Sequence, residues 1–219
     1  MNRLLDLLAA EYGEPSVTRR PPLDELVLTI LSQNTSDINR DRAYEALRSR
    51  FPTWQQVLDA PAGELEEAIR PGGLARQKAP RIQAVLAEVA GVGHGLDLEW
   101  LAKLEPEDAM DWLTSLNGVG VKTASIVLLF SFGVPVMPVD THVHRIALRL
   151  ELVPAGTSAE KAHLLITEQV PDGRMLEAHL LLITHGRRTC VARRPRCTRC
   201  VLLEMCPYGR REVGAAGGR

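Results

Sequence analysis

Apolar residues recur at the spacing of an α-helix along almost the whole chain, and this pattern limits the fold more than any other feature. A clear example is the i, i+3, i+4, i+7, i+8 series formed by Leu23, Leu26, Val27, Ile30 and Leu31. No alternating run of β-branched residues bounded by turn residues marks a strand. Prolines and glycines divide the chain into roughly ten helical segments. The sequence therefore predicts an all-α protein whose last eleven residues, GRREVGAAGGR, form a frayed tail.

Length and composition exclude several classes of protein. With 219 residues, of which 45% are hydrophobic, the chain is too apolar to be disordered and long enough for one large domain or two small ones. Its longest apolar stretch, 124–139, is interrupted by prolines, a glycine and a serine and is too short to cross a membrane. The N-terminus lacks the pattern of a signal peptide. We therefore expect a cytoplasmic protein with no membrane partner.

The near-neutral total charge hides a strong asymmetry. Eight arginines and one acidic residue, Glu204, lie within 185–211, which gives this segment a net charge of +7. Because the whole chain carries −1, the remainder carries −8. A basic segment attached to an acidic body is typical of nucleic-acid binding, although a solvated charged surface gives the same count.

All four cysteines of the chain lie within 17 residues and are candidate metal ligands. They are Cys190, Cys197, Cys200 and Cys206, in the spacing C-x6-C-x2-C-x5-C. Disulfides are rare in a cytoplasmic chain of this size. Four thiolates can hold one zinc ion in tetrahedral geometry, or an iron–sulfur cluster whose irons take one thiolate each. Only one short-spaced pair of the zinc-ribbon type is present, so the spacing favours the cluster and leaves zinc open.

A glycine-rich segment over 116–124, LNGVGVKTA, separates two helical stretches. With Gly118 and Gly120 in the turn, the backbone N–H groups that start the second helix are free to bind a phosphate that approaches closely. A turn of this kind also occurs simply as a connection between helices. Lys122 falls in the first turn of the second helix, where the helix dipole is expected to lower the pKa of the amine and make it a nucleophile. Most lysines are solvated surface groups, but this chain has only four, at 78, 103, 122 and 161.

A second segment, VPVMPVDTHVHR, places Asp140 at the start of a helix that runs to about Leu150. Asp is a preferred N-cap residue, which is its structural interpretation. A carboxylate near a lysine amine can also stabilise developing positive charge or move a proton. Asp140 and His144, at i and i+4, could bind a metal ion, but the pattern offers no third ligand.

Together these segments resemble the endonuclease III group of the helix-hairpin-helix DNA glycosylases. Three segments occur in the order and separation of that family: the hairpin, the VDTH segment and HGRRTCVARRPRCTRCVLLEMCPY. The family is also resembled by SQNTSD over residues 32–37 and GLARQKAPRI over 73–82. The resemblance covers nearly the whole chain. It implies a [4Fe–4S] cluster, rather than zinc, at the four cysteines.

The resemblance also implies two helical domains with a DNA-binding cleft between them. One is a six-helix domain over residues 16–132 that carries the hairpin. The other joins 1–15 to 133–219 and holds the cluster in the loop 187–206. The implied partner is double-stranded DNA that contains damaged bases or abasic sites. We expect the protein to bind it as a monomer, in the cytoplasm and associated with the nucleoid.

The activity implied by the resemblance is that of a base-excision repair DNA glycosylase with AP lyase activity. Lys122 resembles the family's nucleophile, which attacks C1′ of a flipped nucleotide, forms a Schiff base and cleaves the strand 3′ to the abasic site by β-elimination. Asp140 resembles the family's essential carboxylate. Oxidised pyrimidines are the substrates expected from the resemblance.

Further DNA contacts follow from the same resemblance. Arg193, Arg194 and Arg196, between the first two cysteines, match the family's contacts to DNA phosphates.

A flipped base leaves a gap that other side chains must fill. Gln33 or Asn34 is the polar candidate and Leu74 the apolar one, while Leu74 is equally well interpreted as a core residue at a helix start. Asn34 stands where many members have glutamine, Asn117 where proline is usual and Val121 where a basic residue is common. These departures leave the damage preference and the gap-filling residue open.

Two other functions remain alternatives. A mismatch-specific monofunctional glycosylase has the same core, but such relatives lack the lysine, so Lys122 favours the bifunctional enzyme. A non-enzymatic iron–sulfur protein that binds or senses DNA would need neither Lys122 nor Asp140.

Overall fold

The computed structural model describes residues 1–217 and confirms the all-α prediction: within that range it has twelve α-helices and no β-strand. The chain separates into two compact units. One is Arg19–Phe132, and the other joins Met1–Thr18 to the chain from Gly133 onward. No helix within the described range is long and apolar enough to span a membrane.

Seven α-helices form the Arg19–Phe132 unit. They are α2 (Pro22–Ser32), α3 (Asp37–Arg50), α4 (Trp54–Asp59), α5 (Ala62–Ala68), α6 (Ala75–Gly91), α7 (Pro106–Ser115) and α8 (Val121–Val127). A single π-helical segment, Leu128–Phe132, continues α8, and short 3-10 turns occupy Arg70–Gly72 and Glu99–Lys103. The sequence predicted a six-helix domain that begins at residue 16, whereas this unit begins at Arg19.

Helix α2 is the centre of this unit. Nearly all of its side chains are buried, because it packs against α3, α6 and α8 on different sides. A helix buried around most of its circumference is stable only inside a core. The proline pair at 21–22 fixes its start, since proline suits the first positions of a helix. The end of α2 and the start of α8 are therefore held against one rigid core.

Five α-helices form the other unit. They are α1 (Asn2–Tyr12), α9 (Thr141–Arg149), α10 (Ala159–Thr167), α11 (Met175–Arg188) and α12 (Pro207–Gly217). Helix α11 packs against α1 and α9, which explains how the N-terminal helix joins the later part of the chain. Short 3-10 turns over Cys197–Arg199 and Leu203–Met205 shape the cysteine-rich segment between α11 and α12.

The predicted frayed tail is wrong over the range that the structure describes. Residues 207–217 form α12, and only the last two residues of the predicted tail, 218–219, lie outside the described range. Pro207 stands at the helix start, and the Cys206 thiol sulfur accepts the Gly209 N–H at 3.3 Å. The Tyr208 ring lies 4.5 Å from the Arg149 guanidinium. Glycines near the end of the sequence suggested fraying, but these contacts with other parts of the unit anchor the helix.

Candidate active site and cysteine loop

The hairpin between α7 and α8 exposes the first N–H groups of α8. Helix α7 ends at Ser115, the chain turns through Gly118 with φ +81°, and Gly120 is the N-cap of α8. No side chain in the described part of the chain caps this helix. Its first N–H groups can therefore bind an external acceptor, and the positive end of the helix dipole favours an anion there.

The two hairpin glycines have different roles. A Cβ on Gly118 would lie 2.6 Å from the Nε of Arg81, and φ there is +81°. The fold itself thus requires glycine at 118. Gly120 has an ordinary extended conformation with φ −94°, and a Cβ there would have no neighbour within 4 Å. Within residues 1–217 nothing requires glycine at 120, and the space beside it is open to the close approach of an external group.

Lys122 is the second residue of α8 and its side chain is exposed. Within residues 1–217 its amine has neither a hydrogen bond nor an ion pair. The amine therefore stands free beside the uncapped helix start.

Asp140 is the N-cap of α9, as the sequence predicted. Its Oδ1 accepts the N–H groups of both His142 and Val143 at 2.8 Å. These two bonds fix the half-buried carboxylate, and the other oxygen, Oδ2, has no hydrogen-bond donor among the residues described. Asp140 thus combines a structural bond with a carboxylate oxygen that is available for chemistry.

The alternative of a metal ion on Asp140 and His144 receives no support. His144 Nε2 lies 2.7 Å from the Thr157 carbonyl oxygen and joins α9 to the turn before α10. No group of three or more His, Cys, Asp or Glu side chains in the described range is placed to hold a single metal ion.

The two candidate gap-filling turns contain strained residues. Asn34 and Leu74 both have φ +52°, a left-handed conformation that costs a residue other than glycine about 1 kcal/mol. Leu74 is the N-cap of α6, and 46% of its surface is exposed to solvent. The interpretation of Leu74 as a core residue is therefore wrong. Gln33 differs from Asn34, because its Oε1 accepts a hydrogen bond from the Arg81 Nη1 at 2.7 Å. Asn34 is exposed and its side chain makes no such bond.

The cysteine-rich loop brings all four cysteines to one cavity. Two arginines of α9 hold the loop in place through backbone carbonyls. Arg149 donates to the Val191 oxygen at 2.8 Å and the Ala192 oxygen at 3.0 Å, and also to the Cys190 sulfur at 3.3 Å. Arg145 donates to the Cys190 oxygen at 2.9 Å. Arginine bonds to the backbone thus hold the first part of the loop, which precedes its two 3-10 turns.

The chemistry of these thiols fits a metal cluster. Burial raises the pKa of Cys200 to about 11, and burial together with the charges of the other cysteines raises the pKa of Cys197 and of Cys206. Four thiolates so close together need a compensating positive charge, which metal ions supply. Four thiolates can hold either one zinc ion or an iron–sulfur cluster, and both would supply that charge.

The three predicted DNA-contact arginines of this loop are all exposed. Arg193 and Arg194 make no ion pair or hydrogen bond within residues 1–217. Arg196 instead donates to the Arg188 carbonyl oxygen at 3.1 Å, so part of its guanidinium supports the loop. Arg193 and Arg194 are therefore the freer pair for phosphate contacts.

Sequence reasoning missed three residues that organise these sites: Lys78, Arg81 and Arg149. Each acts through a contact with a residue more than 35 positions away, which no local pattern reveals. The one available signal was the scarcity of lysine, since Lys78 is one of only four in the chain.

Comparison with known proteins decides the family. The model of the HhH-GPD superfamily of base excision DNA repair proteins matches residues 27–172. Endonuclease III of Sulfolobus acidocaldarius is 33% identical over 185 residues, which cover 84% of this chain and 80% of the relative. The chain belongs to the endonuclease III family of this superfamily. The resemblance inferred from the sequence is confirmed, and the protein is a DNA glycosylase by family.

Two further comparisons bear on this endonuclease III homologue. A protein of Arabidopsis thaliana named as a DNA glycosylase is 40% identical over 165 residues, and these cover 75% of this chain but 56% of the plant protein. A solved structure of a trapped endonuclease III–DNA covalent intermediate superposes with a TM-score of 0.84 at 30% identity, covering 97% of this chain and 96% of the other.

The contrast between the hairpin glycines gives a prediction. Gly120→Ala should leave the free energy of unfolding within about 0.5 kcal/mol of the original value, since its Cβ meets open space. It should still weaken DNA binding about tenfold, because the methyl group blocks close approach of a phosphate. Urea unfolding followed by circular dichroism and fluorescence anisotropy with labelled duplex DNA measure the two quantities.

Gly118→Ala is the matched control for this pair. It should lower the free energy of unfolding by about 1–2 kcal/mol, because of its positive φ and the clash with Arg81. Unchanged DNA affinity in stable Gly120→Ala protein would show that the hairpin does not bind phosphate at this position.

Proposed function

We propose that this endonuclease III homologue removes oxidised pyrimidines from duplex DNA and cleaves the strand 3′ to the resulting abasic site. The observation that carries the proposal is the free, exposed amine of Lys122 beside an uncapped helix start. A DNA phosphate bound to the hairpin N–H groups brings the neighbouring sugar to this amine. The solved structure of a trapped endonuclease III–DNA covalent intermediate supports a covalent mechanism in this family.

The chemistry begins with the unprotonated amine of Lys122. The amine attacks C1′ of the flipped nucleotide, and the bond from C1′ to the base nitrogen breaks, so that the base leaves with a proton. The sugar ring opens as its oxygen takes a proton, which leaves a protonated imine between C1′ and the lysine nitrogen. Loss of a C2′ proton then expels the 3′ phosphate by β-elimination, and water releases the enzyme from the imine.

Asp140 is proposed as the carboxylate of this reaction. Two backbone N–H groups hold Oδ1, so Oδ2 is the oxygen that stabilises the cationic species or accepts a proton. Because its orientation is fixed before the substrate binds, little reorganisation is needed during the reaction.

The proposed substrate and partner follow from the family and from the composition. The chain has three residues each of Phe, Trp and Tyr, which argues against a pocket built mainly on stacking. Hydrogen bonds to the edge of a flipped, oxidised pyrimidine are the expected mode of recognition. We propose that a monomer acts on duplex DNA, with Arg193 and Arg194 contributing phosphate contacts that weaken with added salt.

We also propose that the four cysteines hold a [4Fe–4S] cluster. The cavity lined by all four cysteines and the membership of the endonuclease III family support this group. When bound, the cluster supplies the bonds that fix the shape of the loop. Its arginines then have a defined position for phosphate contacts.

Lys122→Gln tests the central step. On a duplex with one abasic site, sodium borohydride should trap a covalent adduct with the original protein and none with Lys122→Gln. Lys103→Gln is the matched control, because Lys103 is an exposed lysine whose loss changes the charge equally. Electrophoresis of the trapped complex gives the result.

The alternatives correspond to other outcomes of that experiment. Tight DNA binding by the original protein without adduct or strand cleavage favours a binding or sensing protein. An adduct that persists in Lys122→Gln removes Lys122 as the nucleophile.

Asp140→Asn should separate the charge of this residue from its capping role. Asparagine caps a helix as well as aspartate, so stability should hardly change, while turnover falls by more than about a hundredfold. Asp140→Ala should lose activity and also about 0.5–2 kcal/mol of stability. Single-turnover cleavage and urea unfolding measure both effects. Near-normal turnover in Asp140→Asn contradicts a role for the charge.

Cys200→Ser tests the cluster. The original protein should contain about four iron atoms per chain and absorb visible light, and the variant should lose both. Thr198→Ser, inside the same loop, is the control and should keep both. Elemental analysis decides between the metals, since about one zinc ion and no iron per chain would overturn the cluster in favour of a zinc site.

A further inference from the structure

Lys78 is a buried lysine that the proposed chemistry does not use. Only 2% of the surface of this residue is exposed to solvent. Its Nζ donates to the Leu31 carbonyl oxygen at 2.7 Å and to the Gly72 carbonyl oxygen at 2.9 Å. No ion pair to a carboxylate is present within the described residues. Burial lowers the pKa of this amine. Placing an ammonium group in such a site is costly, and an apolar residue would fill the space more cheaply.

The two carbonyls belong to the two strained segments: the Asn34 turn, residues 31–36, which starts in the last turn of α2, and the Leu74 turn, residues 72–74. Leu31 lies three residues before Asn34, and Gly72 lies two residues before Leu74. One nitrogen atom binds both oxygens, so the oxygens are less than about 6 Å apart. The backbone N–H of Lys78 also donates to the Leu74 carbonyl oxygen at 2.9 Å. Lys78 therefore contacts the Leu74 turn through both its side chain and its backbone, and the Asn34 turn through its side chain alone.

The Leu31 carbonyl needs this partner because of its position. It lies in the last turn of α2, where carbonyl groups have no N–H partner within the helix. Neighbouring carbonyls in that turn are bonded locally: the Ser32 hydroxyl donates to Thr29, and the Gln33 N–H donates to Ile30. The Leu31 oxygen instead accepts from Lys78, 47 residues away in the sequence. This long-range bond fixes where the chain leaves α2.

The exposed ends of the two turns carry the side chains suited to enter a gap in the DNA. Asn34 and Leu74 share φ +52°, and both are exposed. Gln33 is already bonded to Arg81, and we therefore assign the polar contact to Asn34. Residues held in a costly conformation persist only where the surrounding structure fixes them, and such residues are frequent at ligand sites.

We infer that Lys78 is a positioning residue that joins the Asn34 turn and the Leu74 turn into one rigid wedge, which enters the duplex when a base is flipped out. The inference rests on the proposed function as a base-flipping enzyme. Because the ammonium group holds both turns before DNA binds, less conformational entropy is lost on insertion. The wedge acts on damaged sites, where a gap is formed, and adds little to binding of intact duplex.

Lys78→Met tests the inference, since methionine keeps an unbranched side chain but donates no hydrogen bond. The probe is a duplex with one tetrahydrofuran abasic analogue, compared with the same duplex undamaged. The variant should lose about tenfold in affinity for the analogue and less than about twofold for undamaged DNA. Lys103→Met, which removes an exposed lysine of the same unit, should change neither value beyond about twofold.

The outcomes separate this inference from the proposed function. Equal losses on both duplexes indicate a general structural role and overturn the inference. So does full retention of the preference for the analogue by Lys78→Met. If the original protein itself shows neither that preference nor a borohydride adduct, the proposed function fails first.

A double-mutant cycle decides the matter even if Lys78→Met does not fold. Asn34→Ala and Leu74→Ala alter exposed side chains and leave the core intact. One rigid wedge predicts that the double variant loses little more affinity for the analogue than either single variant. If the two losses multiply, the turns act independently and the inference is wrong.

Discussion

The bonding of backbone groups at helix ends is the constraint on which the chemistry of this protein depends. Each α-helix leaves N–H groups at its start and carbonyl groups at its end without partners inside the helix. In this all-α chain, the side chains with proposed functions lie where these groups are satisfied or left free. Asp140 caps α9, the amine of Lys122 stands beside the uncapped start of α8, and Lys78 binds a carbonyl at the end of α2. Helix termini thus position each of these proposed residues within its own unit.

In the cysteine loop, arginines have two roles. Arg149 and Arg145 donate to carbonyl groups of loop residues that follow α11, and Arg149 also donates to the sulfur of Cys190. These arginines point into the loop and hold it, while Arg193 and Arg194 remain exposed. A high arginine count in one segment therefore combines internal support with the surface charge that suits DNA phosphates.

Local signals made much of the fold and part of the site predictable. Helical spacing, prolines and an N-cap aspartate act over a few residues, so the all-α fold and the cap at Asp140 could be read from the sequence. The anchored α12, the exposure of Leu74 and the buried Lys78 could not, because each depends on contacts between distant parts of the chain. The proposed preference for Asn34 over Gln33 likewise rests on the bond from Arg81 to Gln33, which are 48 residues apart in the sequence.

Peptide mass spectrometry of the borohydride-reduced adduct with abasic DNA tests most directly whether Lys122 is the nucleophile. The proposed mechanism predicts a sugar remnant on Lys122. The chain has only four lysines, so the modified lysine can be assigned unambiguously. The remnant should be present in the peptide that contains the hairpin and absent from the peptides with Lys78, Lys103 and Lys161. A remnant on any of these three, or on the N-terminal amine of Met1, would contradict the account.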